Sequence, residues 1–290
     1  EGLVDEYEKV MENLSDESKF NNPEAFAQIK HKVFDNIDAW YDINFEELSN
    51  KTPQEVIDAI ETTDEASAIL LMSFERCDDE IPKKLKDKYE SFGEEAIEQL
   101  EKIAFDADWE AKPGEEEPDF SIINSNNALK LLGEFKSVSS SCEILMKFCD
   151  ATNPDEYIAD AVKEYFISLG EGGIPALLDT LNSVCESNEP FTLPLEHLLV
   201  SLTYAGRANR IDEIFVCLRN CFRKMPEKII PVICIGDYGD PRGIALLKGY
   251  IDKNSDTIDR NTFYEALSSL KRLGGKTDDI QDPFGDFAGN

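Results

Sequence analysis

The chain has 290 residues, 41% of them hydrophobic, with 60 Asp and Glu against 29 Lys and Arg, for a formal charge of −31. That apolar share suffices for a core. That charge excludes a nucleic-acid or anionic-membrane surface as the expected function, because phosphate binding is driven by Lys and Arg. The partner expected instead is a protein or peptide, and a basic one where charge guides the encounter.

Leu3 to Leu14, Pro23 to Tyr41 and Lys51 to Thr62 read as three helices. Thr52-Pro53-Gln54-Glu55 has the form of an N-cap, with Pro at the first helical position and an acid in the first turn. From there on, helical periodicity dominates and alternating strand patterns are scarce. Ile158, Ala161, Val162, Tyr165, Phe166 and Leu169 form one apolar stripe. Ile174, Leu177, Leu178, Leu181 and Val184 form the next. Leu195, Leu198, Leu199 and Leu202 follow, then Ile211, Ile214, Phe215, Leu218 and Phe222. Phe263, Ala266, Leu267, Leu270 and Leu273 close the series. Each stripe predicts a helix of about three turns that buries one side. Asn153-Pro154-Asp155-Glu156, Thr192 to Pro194 and Asp240-Pro241 read as helix starts.

A short phrase punctuates these helices: an apolar residue, then Gly, then usually a polar residue. It occurs at Gly93, Gly133, Gly170, Gly206, Gly236 and Gly274, at spacings of 30 to 40 residues. Gly after an apolar last turn is expected to close the helix in the left-handed region. Self-similarity at this period points to stacked helix pairs. Residues 1–60 lack the phrase and read as an N-terminal helical cap on an array over 61–275. Residues 106–121 are an acidic, Pro- and Gly-containing insertion, expected to be a flexible loop. Residues 276–290 read as a tail that folds back over the last unit, with Phe284 and Phe287 as anchors.

The stretch from Ile235 through Asp240-Pro241-Arg242 to Leu246-Leu247, continuing to Ala266-Leu267, Leu270 and Gly274, resembles a HEAT repeat. More narrowly, it is similar to the short bacterial HEAT-like type also seen in phycobilin lyases. Leu169-Gly170 to Leu178 resembles the same first helix. The resemblance covers roughly residues 65–275. It implies an all-α fold, a right-handed α-α superhelix (HEAT-like solenoid) with an N-terminal helical cap. On function it implies little, because fold does not fix function. Deoxyhypusine hydroxylase, a HEAT-like enzyme, uses paired His-Glu motifs for iron. Here only His31 and His197 occur, neither of them so paired.

No catalytic motif is present: no Gly-x-Ser-x-Gly, P-loop, His-Glu-x-x-His or dinucleotide fingerprint. Asp106, Asp108, Glu110 and Glu117 echo a calcium loop, but Ala111 stands where such a loop needs Gly. No cofactor and no metal are expected. The seven Cys are odd in number, contain no Cys-x-x-Cys and sit mostly in apolar helical stretches, which suggests a reduced, cytoplasmic protein. Cys217 and Cys221 share a helix face and, without a His, make at most half a metal site. The longest apolar run, Ile229 to Ile235, is too short to span a bilayer.

One charge asymmetry stands out. Residues 196–250 hold eight Lys and Arg against six Asp and Glu, in a chain that is otherwise strongly acidic. Arg207, Arg210 and Arg242 fall at or just after the Gly turns, and Arg219 and Arg223 lie in the helix between. Stacked units would align such turns on one edge. These arginines either form a patch for carboxylate or phosphate groups of a partner, or pair with acids of neighbouring units. The function expected is a non-catalytic scaffold that binds protein through its concave face or turn edge. Two alternatives stay open: an acidic immunity- or antitoxin-like protein that neutralises a basic partner, and an accessory lyase-like or small-molecule-binding protein.

Overall fold

The computed structural model describes residues 39–76, 81–112, 114, 119–187 and 189–285. It is all-helical: among the described residues there are thirteen α-helices and no strand. The chain divides into two compact units at Gln99 and Leu100. No helix among the described residues is long and apolar enough to cross a membrane. The expected helix Leu3 to Leu14 and most of Pro23 to Tyr41 lie outside the described residues, as do His31, Cys77 and Phe287.

The first unit holds α1 (Pro53–Asp58), α2 (Thr63–Arg76), α3 (Lys83–Glu90) and the start of α4 (Glu94–Asp106). The expected cap on α1 is a full capping box. The Thr52 hydroxyl accepts from the Glu55 amide at 3.1 Å, and the Glu55 carboxylate accepts from the Thr52 amide at 2.9 Å. Helix α3 packs on α1 and α2. Its Tyr89 is fully buried, and its hydroxyl lies 2.9 Å from that of Ser67.

The second unit holds α5 (Phe120–Glu134), α6 (Ser141–Asp150), α7 (Glu156–Leu169), α8 (Ile174–Glu186) and α9 (Leu193–Ala205). After these come α10 (Asp212–Lys224), α11 (Ile229–Tyr238), α12 (Arg242–Lys253) and α13 (Arg260–Arg272). Most residues of the predicted stripes are buried; Leu178, Val184 and Leu273 are half-buried and Ile211 is exposed. On α7 all six stripe residues are buried, from Ile158 to Leu169. On α13, Phe263, Ala266, Leu267 and Leu270 are buried. Each large side chain so covered stabilises by about 1.5–3 kcal/mol. Every second helix forms a row: α5 packs on α7, α7 on α9, α9 on α11 and α11 on α13. Helices α6, α8 and α10 form a second row against it.

The glycine phrase serves two different ends. Gly93, Gly170 and Gly274 have positive φ and close their helices as expected. Gly133, Gly206 and Gly236 do not. Gly133 lies within α5, where a Cβ would come 2.9 Å from the Tyr165 Cα of α7. Gly236 lies within α11, where a Cβ would meet Ser269 of α13 at 2.5–2.7 Å. These two let neighbouring helices of the row touch backbone to backbone or nearly so. The left-handed residue that ends α11 is Gly239, three residues later.

The acidic insertion is less loose than its composition suggests. Trp109 is buried at 2% exposure, and its indole N–H donates to the Ala104 carbonyl at 3.0 Å. Lys147 donates to the carbonyls of Phe105 and Ala107 at 2.7 and 2.8 Å, closing the C-terminus of α4. Glu110 accepts from the amides of Thr152 at 2.6 Å and Asn153 at 3.0 Å. That carboxylate therefore caps backbone. It also shifts the start of α7: Asp155, not Asn153, is the N-cap, accepting from the Tyr157 amide at 2.9 Å. At the far end of the insertion Asp119 caps α5 and pairs with Lys112 at 2.6 Å. Chiefly through Lys112, the Asp119 carboxyl is held well below the usual carboxylate range.

The tail folds back as expected. The Phe284 ring meets Phe263 and Tyr264 of α13, with centroids 5.7 and 6.0 Å away. The Tyr264 hydroxyl donates to Asp282 at 3.1 Å, and Lys248 of α12 pairs with Asp279 at 2.9 Å.

Two glycine substitutions separate the roles of helix contact and open space. Gly133→Ala is expected to lower stability by about 1–3 kcal/mol, because backbone stands where its methyl would go. Gly249→Ala, in α12 with nothing within 4 Å, is expected to raise stability by about 0.4–1 kcal/mol. Urea unfolding of the two variants checks both signs.

Candidate functional site

In the second unit the turns that follow α5, α7, α9 and α11 touch in sequence along one edge. Lys136 donates to the Ser168 carbonyl, and Val138 lies against Gly172. Asn209 donates to Glu171. The Arg210 guanidinium lies against Gly239, where a Cβ would come 2.9 Å from Nη2. The Tyr238 hydroxyl donates to the Ile211 carbonyl and accepts from the Ile211 amide, both at 2.9 Å. Ile211 thus sits ahead of α10 and is exposed, although periodicity placed it in the buried stripe. Burial raises the Tyr238 phenol above its ordinary range.

The edge treats its three arginines differently. Arg242 takes the internal alternative. It donates to Asp240 through Nε at 3.0 Å and Nη2 at 2.7 Å, and to Asp212 through Nη1 at 2.6 Å. Its guanidinium also lies 4.2 Å from the Phe215 ring centroid. The Arg242 side chain holds the Asp240 carboxyl below its usual range. Arg207 and Arg210 are exposed, and neither guanidinium makes a hydrogen bond or close ion pair with the described residues, although Arg210 acts at longer range on Asp240. Beside them stand two exposed apolar side chains, Tyr204 and Ile211.

Arg219 and Arg223 lie apart from this edge, in the second half of α10. Arg223 is exposed, in the last turn, where a cation suits the helix dipole. Arg219 is half-buried, and its Nε has no hydrogen-bond partner among the described residues. Of the five arginines, Arg242 is paired with two acids, whereas Arg207, Arg210 and Arg223 are exposed. Sequence reasoning missed Arg272, the C-terminal counterpart of Arg242. It pairs with Asp237 at 3.2 Å and Glu265 at 2.7 Å. Its position seven residues after Glu265, on one face of α13, is the signal that could have found it.

The outer row carries a cleft of about 450 Å³ between α6 and α8. Leu145, Met146, Cys149 and Ala176 line it, with Asp150 and Asp179 as its charged groups. Burial pushes the Cys149 thiol up to about 11, so the cleft presents it protonated. The Thr180 hydroxyl is spent on the Ala176 carbonyl at 3.0 Å. No aromatic residue lines this cleft. Among the described residues, no three His, Cys, Asp or Glu side chains are arranged to hold a metal ion.

His197 of α9 stands against the Phe148 ring, with centroids 6.2 Å apart. Burial lowers its pKa from the ordinary value, with Asp160 and Glu156 acting against the shift and Lys163 with it. Well above pH 6.5 the imidazole is neutral both folded and unfolded, and contributes nothing to pH dependence. Below that, the unfolded chain takes up the proton first, so stability falls with pH. His197→Gln is expected to flatten the stability loss between about pH 7 and pH 5, read from urea midpoints, while leaving the acid transition of the carboxylates in place. Comparison of the chain with protein-family models, with curated proteins and with solved structures gives no match, so the functional reading rests on its own residues.

Proposed function

We propose that this chain is a non-catalytic helical-repeat scaffold, of the HEAT-like solenoid type that its sequence resembles, and that it holds a protein or peptide partner. The observation that carries the reading is the regular row of alternate helices, α5, α7, α9, α11 and α13, with consecutive turns touching along one edge. A stack of this kind presents long surfaces made from equivalent positions of successive units. The turn edge supplies the anchor. Arg207 and Arg210 offer planar, multidentate donors, and Tyr204 and Ile211 offer apolar area beside them. Such a set suits a carboxylate-bearing segment of the partner, since a guanidinium pairs with carboxylate through two parallel bonds. The acidic surface elsewhere repels acidic proteins and so sets orientation as well as choice of partner.

The full chain serves as bait in lysate of its own source, with retained proteins identified by mass spectrometry. A retained partner is expected to be lost, by tenfold or more in affinity, when Arg207→Glu and Arg210→Glu are combined. Arg223→Glu on α10 is expected to leave retention unchanged. Retention indifferent to the double variant would overturn the assignment of the edge. Turnover of a substrate that persists through rigorous purification would overturn the scaffold reading itself.

A further inference from the structure

Three thiols gather between two helices of the outer row. Cys185 lies in the last turn of α8, and Cys217 and Cys221 lie one turn apart on α10. The Sγ atoms of Cys185 and Cys221 are 3.5 Å apart. Cys185 is half-buried, whereas Cys217 and Cys221 are buried. The cluster thus has one thiol that small molecules can reach and a second, sheltered thiol within one short movement of it.

We propose that Cys185 and Cys221 form an oxidisable pair, in which a hydroperoxide converts Cys185 to a sulfenic acid and Cys221 resolves it to a disulfide between α8 and α10. Each step balances. The Cys185 thiolate attacks one oxygen of the hydroperoxide, the O–O bond breaks, and the other oxygen leaves as an alcohol, or as water from hydrogen peroxide, taking the thiol proton. The Cys221 sulfur then attacks the Cys185 sulfur; the S–O bond breaks, and hydroxide leaves with the Cys221 proton as water. Two thiols and one hydroperoxide give one disulfide, one alcohol and one water.

The surroundings assign the roles. The hydrogen bond between the two sulfurs and, after it, the nearby Lys224 ammonium hold the Cys185 thiol below its ordinary range, against burial and Glu186. Lys224 is fixed there by donating to the Ser187 carbonyl at 2.7 Å. Cys221 is shifted the other way by its hydrogen bonds with Cys185 and Cys217, with burial adding to the effect. The attacking thiol is therefore the accessible one, as nucleophilic cysteines require. Closing the bond needs the sulfurs to approach from 3.5 Å to about 2.0 Å. Cys217 shares its helix with Cys221, and side chains one turn apart point in parallel. Bridging those two would unwind the turn, so α8 must supply the partner.

The reduced full chain is treated with limiting hydrogen peroxide, quenched with N-ethylmaleimide, digested without reductant and mapped by mass spectrometry. The expected product is a Cys185–Cys221 linked peptide, reversed by dithiothreitol, that appears before any oxidation at the more exposed Cys142. Cys221→Ala is expected to abolish the link and to leave a dimedone-reactive sulfenic acid at Cys185. Cys185→Ser, at a half-buried position, is expected to abolish both the link and the dimedone adduct. Oxidation at Cys142 while Cys185 and Cys221 still take N-ethylmaleimide would overturn the proposal, as would a link from Cys185 to Cys149 or Cys217. Should Cys221→Ala unfold, the linkage map of the unaltered chain decides alone.

Discussion

The second unit depends on how closely its alternate helices approach. At Gly133 the backbone of α7 occupies the place where a side chain of α5 would begin. At Gly236, Ser269 of α13 does the same to α11, and its hydroxyl donates across the contact to the Val232 carbonyl at 3.1 Å. Small residues at these points bring helix axes together, and the large side chains on either flank then interdigitate. Tyr165 shows the linkage. It is fully buried at the Gly133 contact, and its hydroxyl donates to the Ser137 carbonyl at 2.6 Å in the turn beyond α5. Row packing and turn geometry are thus set by the same side chain.

Several of the acids have local structural work. Asp119, Asp155 and Asp259 cap helices, Glu110 caps a turn, and Asp240 holds Arg242. Each accepts from backbone amides or a guanidinium that would otherwise lack a partner. The carboxyls of Asp119, Asp240 and Asp259 are all held below the ordinary range by those bonds. Arg242 and Arg272, each with acids on two sides, knit adjacent helices where the chain has few cations to spare.

The helices were legible because a buried face recurs every three or four residues; the α7 stripe is buried at every position, and the α13 stripe at all but its last, Leu273, which caps the helix. The glycine phrase showed the period but not the physics, since an apolar-Gly pair looks the same whether Gly reverses the chain or admits a neighbouring helix. Gly236 stays helical and admits Ser269 of α13, whereas Gly239, three residues on, takes the left-handed conformation that ends α11. The order in 106–112 was hidden for a related reason. Composition marks the stretch as acidic, whereas its placement rests on Lys147 and on the amides of Thr152 and Asn153, some 40 residues on. Of the arginines, sequence could place Arg242 beside acids but could not say which guanidinium would find two of them. The thiol pair was invisible for the same cause: Cys185 and Cys221 lie 36 residues apart and meet only because α8 packs on α10.

The ion pair between Lys112 and Asp119 has a consequence for the chain's tolerance of change. The two residues are seven apart, yet their side chains meet at 2.6 Å, and each belongs to a locally anchored segment. Whatever length of chain joins them, its ends are already neighbours. Lengthening a connection whose ends are so held costs only loop entropy, roughly 0.6 kcal/mol for each doubling. Between these residues the protein is expected to tolerate an inserted domain whose own termini lie side by side, with the row of helices that follows undisturbed.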